Sequence, residues 1–230
     1  MFLSLENLTF TYPGAETPIF RNVNFQLSAP GFHALFGPSG VGKTSFAKII
    51  AGDLPSPEGQ VHIDPHAVIL YTYNQERLPG WAPIRHFIDS VTPPDMMVMK
   101  ERLIDIFGMA ECLDLKFSQL SLGQKNRVNL IRYLLQPFDL LIMDESLANV
   151  DERSRQTIIP WIKKTFPDRF FLYISHHLME VATFGDSICI LRDTDKPQQA
   201  RQITGMNLGG NHTPDKERLD GVLLEIMNAY

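Results

Sequence analysis

The chain has 230 residues, a formal net charge of −5, 44% hydrophobic residues and 20% charged residues, which is ordinary for a globular protein with a substantial core. The acidic balance argues against broad nucleic-acid binding, and no apolar run approaches the roughly 20 residues of a membrane span. The start has no secretory-signal pattern, and Cys112 and Cys189, which lack metal-ligand spacing, are expected to pack as small apolar residues in a reducing cytosol.

Short strand-like runs separated by turns fill the first segment, residues 1–73. The runs are Leu3–Leu5, Leu8–Tyr12, Val23–Leu27, Phe32–Phe36, Val61–Ile63 and Val68–Tyr73. Proline and glycine pairs such as Pro13-Gly14 stand between them, as expected for turns. After Phe32–Phe36 the pattern changes to Phe46–Ala51, which predicts a helix directly behind a buried strand.

A glycine-rich loop lies between that strand and that helix. Its residues are Gly37, Pro38, Ser39, Gly40, Val41, Gly42, Lys43 and Thr44, with Ser45 next. The run fits G-x-x-x-x-G-K-[ST] at every fixed position, so its backbone N–H groups and the helix N-terminus are expected to surround phosphates. We expect Lys43 to reach the β- and γ-phosphates and Thr44 to offer its hydroxyl to Mg²⁺. The loop predicts binding of ATP or GTP.

The middle segment, residues 74–118, is predicted to be helical. After several proline breaks, Met99, Leu103, Ile106 and Phe107 recur on one helix face. The Met96–Met99 cluster fits either an adaptable partner surface or, as we favour, a core filler.

Strand–helix alternation returns in residues 119–195. The apolar runs Leu140–Met143, Phe170–Ile174 and Ile188–Leu191 predict a parallel sheet covered on both faces. The tail, residues 196–230, contains a predicted helix that starts near Thr213-Pro214-Asp215. Its apolar positions are Leu219, Val222, Leu223, Ile226 and Met227. This helix would serve a dimer or regulation, or would pack back on the core, which we favour.

Two carboxylates follow the apolar run Leu140–Met143. Asp144 and Glu145 are therefore delivered to the carboxyl edge of the sheet, where ligands bind in open α/β folds. We expect Asp144 to hold Mg²⁺ directly or through water, and Glu145 to orient or deprotonate an attacking water.

The turn Leu120-Ser121-Leu122-Gly123-Gln124 lies between the loop and the carboxylates. Here the chain resembles the ATP-binding subunits of ABC transporters, whose signature is Leu-Ser-Gly-Gly-Gln, and the resemblance covers about residues 3–192. Further positions match in family order. They are Tyr12 for the adenine-stacking aromatic, Gln75 for the glutamine that senses Mg²⁺ and the membrane partner, Asp151 for the D-loop acid, and His176 for the switch histidine, with His177 as its rival.

The resemblance implies an α/β fold: a P-loop NTPase (RecA-like) core with an N-terminal antiparallel β subdomain and an inserted small α-helical subdomain. It also implies catalytic roles for Glu145, His176 and Gln75, metal contacts from Thr44, Gln75 and Asp144, and nucleotide contacts from Ser121, Gly123, Gln124 and Asp151. The signature residues would contact the γ-phosphate held by a partner subunit. ATP and Mg²⁺ are the implied cofactors.

The implied protein is an ATPase that powers transport as a head-to-tail dimer, with a second copy or a paralogous ATPase subunit. Transmembrane permease subunits and a solute-binding protein are the implied partners, on the cytoplasmic face of the cell membrane. Residues Leu78-Pro79-Gly80-Trp81 resemble uptake ATPases of the nitrate, sulfonate and taurine type. Trp81 would line the groove for the membrane subunit or serve as a core anchor. The alternatives are an exporter, a lipoprotein-release or cell-division complex, and a non-transport soluble ABC ATPase.

Three departures from the family pattern stand out. Leu122 replaces the first signature glycine, Ser146 replaces the proline after the catalytic acid, and the stretch Arg192–Pro197 lacks the usual compact glycine turn. None of them removes an acid, a base or a metal ligand. We expect nucleotide binding to survive, with slower turnover because of Leu122.

Overall fold

The computed structural model describes residues 2–196, 198–209 and 214–229. Within these ranges the strands are β1 (Leu3–Phe10), β2 (Phe20–Leu27), β3 (Gly31–Phe36), β4 (Glu58–Ile63), β5 (Ile69–Tyr73), β6 (Leu140–Asp144), β7 (Phe170–Ile174), β8 (Ser187–Leu191) and β9 (Ala200–Thr204). The α-helices are α1 (Lys43–Ala51), α2 (Ile84–Val91), α3 (Met97–Ile106), α4 (Leu122–Leu134), α5 (Glu152–Thr165), α6 (Leu178–Phe184) and α7 (Lys216–Asn228). None of the helices in these ranges has the length and apolar character of a membrane span.

The core of the fold is a six-stranded sheet with the order β5-β6-β7-β3-β8-β9. Its first five strands are parallel, and β9 runs antiparallel to β8. Every residue of β6 and β7 is buried, because helices cover both faces of a parallel sheet. The predicted α/β fold class and the predicted parallel sheet are confirmed. The sequence analysis did not predict β9 (Ala200–Thr204), an edge strand in which only Ala200 and Ile203 are buried.

A second sheet of three antiparallel strands has the order β2-β1-β4. The two predicted runs Leu3–Leu5 and Leu8–Tyr12 belong to one strand, which ends at Phe10. Between the two runs, from Leu5 to Leu8, the pairing of β1 with β2 is irregular, and Asn7 has φ 53° there. The prediction that the second run extends to Tyr12 was wrong, since this residue lies in the turn beyond the strand.

Helices α2, α3 and α4 share one hydrophobic cluster with one face of the large sheet. The predicted apolar face of α3 is confirmed, because Leu103 and Phe107 are fully buried in this cluster and Met99 packs against it. The methionine cluster is divided between both interpretations. Met96 and Met99 pack against the core, whereas Met97 is exposed.

The described part of the tail packs at the end of the large sheet that is formed by β8 and β9. Leu219, Val222 and Ile226 of α7 lie in a cluster with residues of β8, β9 and α6. This placement supports the interpretation that the helix packs back on the core. Asp215 caps α7 by accepting a hydrogen bond from Glu217 N–H. Thr213, at the predicted start of this helix, lies outside the described residues. So does Pro197, the last residue of the stretch Arg192–Pro197.

Candidate nucleotide site

Three chain segments that carry candidate residues meet at the carboxyl edge of the large sheet. The glycine-rich loop follows β3, Asp144 ends β6, and His176 follows β7. Because these strands are neighbours in the order β6-β7-β3 and run parallel, their carboxyl ends lie side by side. The register pairs Asp144 with Ile174.

The loop leads into α1 through Gly42, which has φ 106°. A Cβ atom at this position would lie 2.9 Å from the ring of Phe20, so both the backbone conformation and the packing require glycine. The N-terminus of α1 has no side-chain cap, so its N–H groups are available to an anion.

Lys43 is held inside the curl of the loop. Its Nζ donates hydrogen bonds of 2.8 Å to the carbonyl oxygens of Gly37 and Pro38. Burial lowers the pKa of Lys43, while the nearby carboxylates of Glu145 and Asp144 act in the opposite direction. A cation held against the backbone of the glycine-rich loop suits the binding of phosphate.

Asp144 accepts two hydrogen bonds on one carboxylate oxygen. Thr44 Oγ1 donates to Asp144 Oδ2 over 2.8 Å, and the phenol of Tyr71 donates to the same oxygen over 3.0 Å. Burial raises the pKa of Asp144, opposed by these two hydrogen bonds, and burial beside Asp144 raises the pKa of Tyr71 far above its ordinary value. A hydroxyl and a carboxylate in contact form the oxygen donor set that Mg²⁺ prefers, so these residues fit the metal. The sequence analysis missed Tyr71, since a tyrosine in a strand is a common packing residue.

Glu145 lies in the left-handed region with φ 52°, and its N–H donates to Ile174 O over 3.0 Å. This geometry places its carboxylate 3.3 Å from Nδ1 of His176, so the structure brings the two predicted catalytic residues together. The ring of His177 lies 4.6 Å from that of His176, and His177 is the N-cap residue of α6. The contact with Glu145 favours His176 over its rival.

Tyr12 lies beside the start of α1. Its hydroxyl and Ser45 Oγ are 2.9 Å apart, and its ring contacts Phe10 edge-on at 5.1 Å. The ring is partly exposed. Tyr12 and Ser45, both expected nucleotide contacts, are therefore neighbours at the mouth of the loop.

Gln75 has φ 64°, and its N–H donates to Asn126 Oδ1 over 3.4 Å. Asn126 is buried and also donates to Asn74 Oδ1 and to Ala148 O, over 3.0 Å and 2.6 Å. The side-chain amide of Asn126 thus joins α4 to the loop of Asn74 and Gln75 and to Ala148, in the segment after Glu145. The sequence analysis missed Asn126, which has no signal of its own in a single sequence.

The next residue, Glu76, fixes this loop to α4. Its Oε1 accepts from Arg132 over 2.5 Å and from the phenol of Tyr133 over 2.8 Å, and its carbonyl accepts from Asn129 over 2.8 Å.

A cavity of about 490 Å³ lies beside Thr44 and Asp144. It is lined by Thr44, Lys48, Asp53, Tyr71, Tyr73, Asn74, Asp144 and Glu145. Asn74 rather than Gln75 lines this cavity.

The signature turn forms the N-terminus of α4. Ser121 Oγ accepts from Gln124 N–H over 3.2 Å, while Gln124 Oε1 accepts from Ser121 N–H over 2.8 Å. This reciprocal pair is a capping box. Leu122 is 46% exposed. Gly123 lies against the segment after Glu145, since a Cβ atom there would be 2.2 Å from Asn149 O.

Asp151 caps α5 in the same region. Its carboxylate accepts from the N–H and the hydroxyl of Ser154, over 2.9 Å and 2.7 Å, and these hydrogen bonds lower its pKa. None of the signature residues nor Asp151 lines the cavity that contains Thr44 and Asp144. Among the described residues, no hydrogen bond joins Ser121, Gln124 or Asp151 to the glycine-rich loop, the two carboxylates or His176.

A family model described as "ABC transporter" matches residues 20–148. The chain belongs to the ABC transporter family. The matched span contains the glycine-rich loop, the signature turn and both carboxylates. Membership in this family implies ATP binding.

Curated relatives from bacteria support the assignment. The molybdenum import ATP-binding protein ModC of Photorhabdus laumondii is 28% identical over 92% of this chain and 66% of that protein. ModC of Brucella abortus is 30% identical over 87% of this chain and 60% of its own length. The spermidine/putrescine import ATP-binding protein PotA of Borrelia garinii is 26% identical over 83% of this chain and 60% of its own length. The chain spans between half and two thirds of the length of such relatives.

Solved structures support the fold. A bacterial Atm1-family ABC exporter with ATP bound superposes with a TM-score of 0.78 at 22% identity, over 99% of this chain and 41% of that chain. An inward-facing metal-chelate type ABC transporter gives a TM-score of 0.71 at 17% identity, over 88% of this chain and 83% of that chain.

Proposed function

We propose that this chain is the ATP-hydrolysing subunit of a membrane ABC transporter and that it works as a head-to-tail dimer. One observation carries the proposal. The loop, both carboxylates and His176 meet at one sheet edge, whereas the signature turn forms the start of α4, and no hydrogen bond among the described residues joins it to them. We infer that a second chain brings its signature turn to this edge. In a dimer that pairs each glycine-rich loop with the other chain's signature turn, both nucleotide sites become complete.

In one chain, separate residues bind the phosphates, the metal, the attacking water and the adenine. Lys43 exchanges the loop carbonyls for the β- and γ-phosphates, which are stronger acceptors. Thr44 and Asp144 hold Mg²⁺, which when bound neutralises charge on the phosphates. Glu145 orients or deprotonates the water, and His176 holds the Glu145 carboxylate and contacts the γ-phosphate. Tyr12 offers its ring to adenine.

The second chain contributes the start of α4 and the segment after its own Glu145. Ser121, Gly123 and Gln124 contribute a hydroxyl and backbone N–H groups, which suit the γ-phosphate. Asp151, at the neighbouring helix start, contacts the site across the interface. Gln75 connects Mg²⁺ and the membrane subunit, as the family resemblance implies, and the ties of its loop to α4 through Asn126 and Glu76 would couple its movement to that helix.

The partners are transmembrane permease subunits at the inner face of the cell membrane. Trp81 is 69% exposed, with its ring against His86 and Phe87. The interpretation of Trp81 as a core anchor is thus wrong, and its exposed ring is available to a membrane subunit. Import is favoured over export because ModC and PotA are both import ATP-binding proteins. A solute-binding protein would then belong to the system.

Mixing two inactive chains tests the shared site. Lys43→Ala removes the phosphate-binding cation, and Ser121→Arg blocks the signature turn. A heterodimer of these chains keeps one site with a normal loop and a normal signature, so turnover should return to about a quarter of the wild-type value with random pairing. Lys43→Ala mixed with a chain carrying both substitutions should stay inactive, because no site is then normal. Heterodimers that form but remain inactive would contradict independent shared sites.

A further inference from the structure

The cavity beside the sheet edge has an aromatic wall that the assignment above does not use. Tyr71 and Tyr73 are two residues apart in β5, so alternation puts both on one face. Their rings stack with centroids 5.6 Å apart and an interplanar angle of 29°. Both line the cavity together with Thr44 and Asp144.

Tyr71 reaches the carboxylate that is assigned to the metal. Strand β5 pairs with β6 in parallel, and the register sets Tyr71 opposite Ile142, two residues before Asp144. The phenol therefore extends along the neighbouring strand to Asp144 Oδ2, at 3.0 Å. The same oxygen accepts from Thr44 at 2.8 Å.

Two donors on one oxygen fix the rotation of the carboxylate and leave the other oxygen for a different partner. A carboxylate has about four lone-pair positions, and Thr44 keeps its oxygen lone pairs when its proton is donated. Thr44 and Asp144 Oδ1 can therefore serve a cation while the hydrogen bonds to Oδ2 stay in place. Without the phenol, one hydrogen bond from Thr44 would orient Asp144.

We propose that Tyr71 is a positioning residue that orients Asp144 for the Mg²⁺ of Mg²⁺–ATP. The proposal rests on the proposed function, since it assumes that Thr44 and Asp144 hold the metal. In this role Tyr71 acts on the metal through the Asp144 carboxylate, to which its phenol donates. Its stack with Tyr73 keeps the phenol in place.

The test measures ATP binding with and without Mg²⁺ in the purified chain. In Tyr71→Phe only the hydroxyl is lost, and the stacked ring remains. The dissociation constant for ATP in EDTA should stay within about twofold of wild type, because the P-loop and Tyr12 are intact. In Mg²⁺ the dissociation constant for ATP should rise about three- to tenfold. This is the effect expected when one hydrogen bond to a charged group is lost in a partly open site. The ratio of the two constants is measured on the same folded protein, so it does not depend on the variant's stability.

Tyr173→Phe is the matched control. It removes a phenol of β7 that donates to the carboxylate of Glu180 in α6, at Oε2 over 2.8 Å, and not to Asp144. Its ratio should equal that of wild type. An unchanged ratio in Tyr71→Phe, or an equal change in both variants, would overturn the proposal for Tyr71.

Asp144→Asn separates this failure from failure of the proposed function. Loss of the Mg²⁺ effect in Asp144→Asn with an unchanged ratio in Tyr71→Phe would overturn only the role of Tyr71. If wild type and Asp144→Asn respond to Mg²⁺ alike, Asp144 does not hold the metal, and both the proposed metal site and the role of Tyr71 are contradicted.

Discussion

Gly123→Ala is expected to separate the signature turn from the segment after Glu145. The added Cβ atom would lie 2.2 Å from Asn149 O and 3.1 Å from Asn149 C. Ordinary carbon–oxygen contacts need more than 3 Å, so one backbone must move by about 1 Å. Overpacking of this kind costs about 1–3 kcal/mol. Both segments belong to the proposed dimer interface, so turnover should fall as well.

Thermal unfolding and ATP turnover measure the two effects. In a chain of this size, 1 kcal/mol corresponds to a change in Tm of roughly 2–4 °C, so a cost of about 1–3 kcal/mol in Gly123→Ala should lower Tm by about 2–12 °C. Gly221→Ala is the matched control, since Gly221 lies within α7 and a Cβ atom there meets nothing within 4 Å. This control should gain about 0.5–1 kcal/mol from helix propensity. A Gly123→Ala chain with wild-type Tm and wild-type turnover would refute the close contact.

Two further substitutions test other parts of the structure. Leu122→Gly removes an exposed side chain from the signature turn, so the ATPase rate should rise severalfold with little change in ATP affinity, and an equal or lower rate at matched dimer content would show that the leucine is accommodated. Burial lowers the pKa of Lys163 from 10.5 to about 8. The unfolded wild type therefore binds more protons between these pH values, and its free energy of unfolding should rise relative to Lys163→Met by on the order of 1–3 kcal/mol from pH 7 to about pH 10. Urea unfolding at both pH values measures this difference, and a pH-independent difference would contradict a buried Lys163.

The sequence predicted what depends on local pattern. The glycine-rich loop specifies its own conformation, as Gly42 shows, and the apolar run Leu140–Met143 requires a buried strand that ends at two acids. Because parallel neighbouring strands end at the same edge, the meeting of Glu145 and His176 also followed from the pattern.

Contacts between distant segments were not predictable. Asn126 joins three segments through one amide, and Tyr71 reaches Asp144 only because β5 and β6 are neighbours. A buried asparagine and a strand tyrosine have no distinctive sequence signal, since their partners lie tens of residues away. The edge strand β9 was missed for a related reason, because its short run Ala200–Thr204 has no regular alternation and forms a strand only against β8.

The proposed role of Gln75 is coupled to helix α4. The Gln75 N–H donates to Asn126 Oδ1 of that helix. Any shift of this loop, and of Gln75 with it, therefore starts from that hydrogen bond to α4. The tie from Glu76 to Arg132 and Tyr133 makes such a shift a movement of both elements.

ATP turnover by Glu145→Gln measures whether Glu145 activates the attacking water. The amide keeps the size of the side chain and the hydrogen bond to His176, but it cannot take a proton from water. We expect unchanged ATP binding, a fall in turnover of about 10²–10⁴-fold, and an ATP-dependent dimer on a sizing column. A variant that keeps more than about a tenth of wild-type turnover would contradict the assignment of Glu145 as the general base.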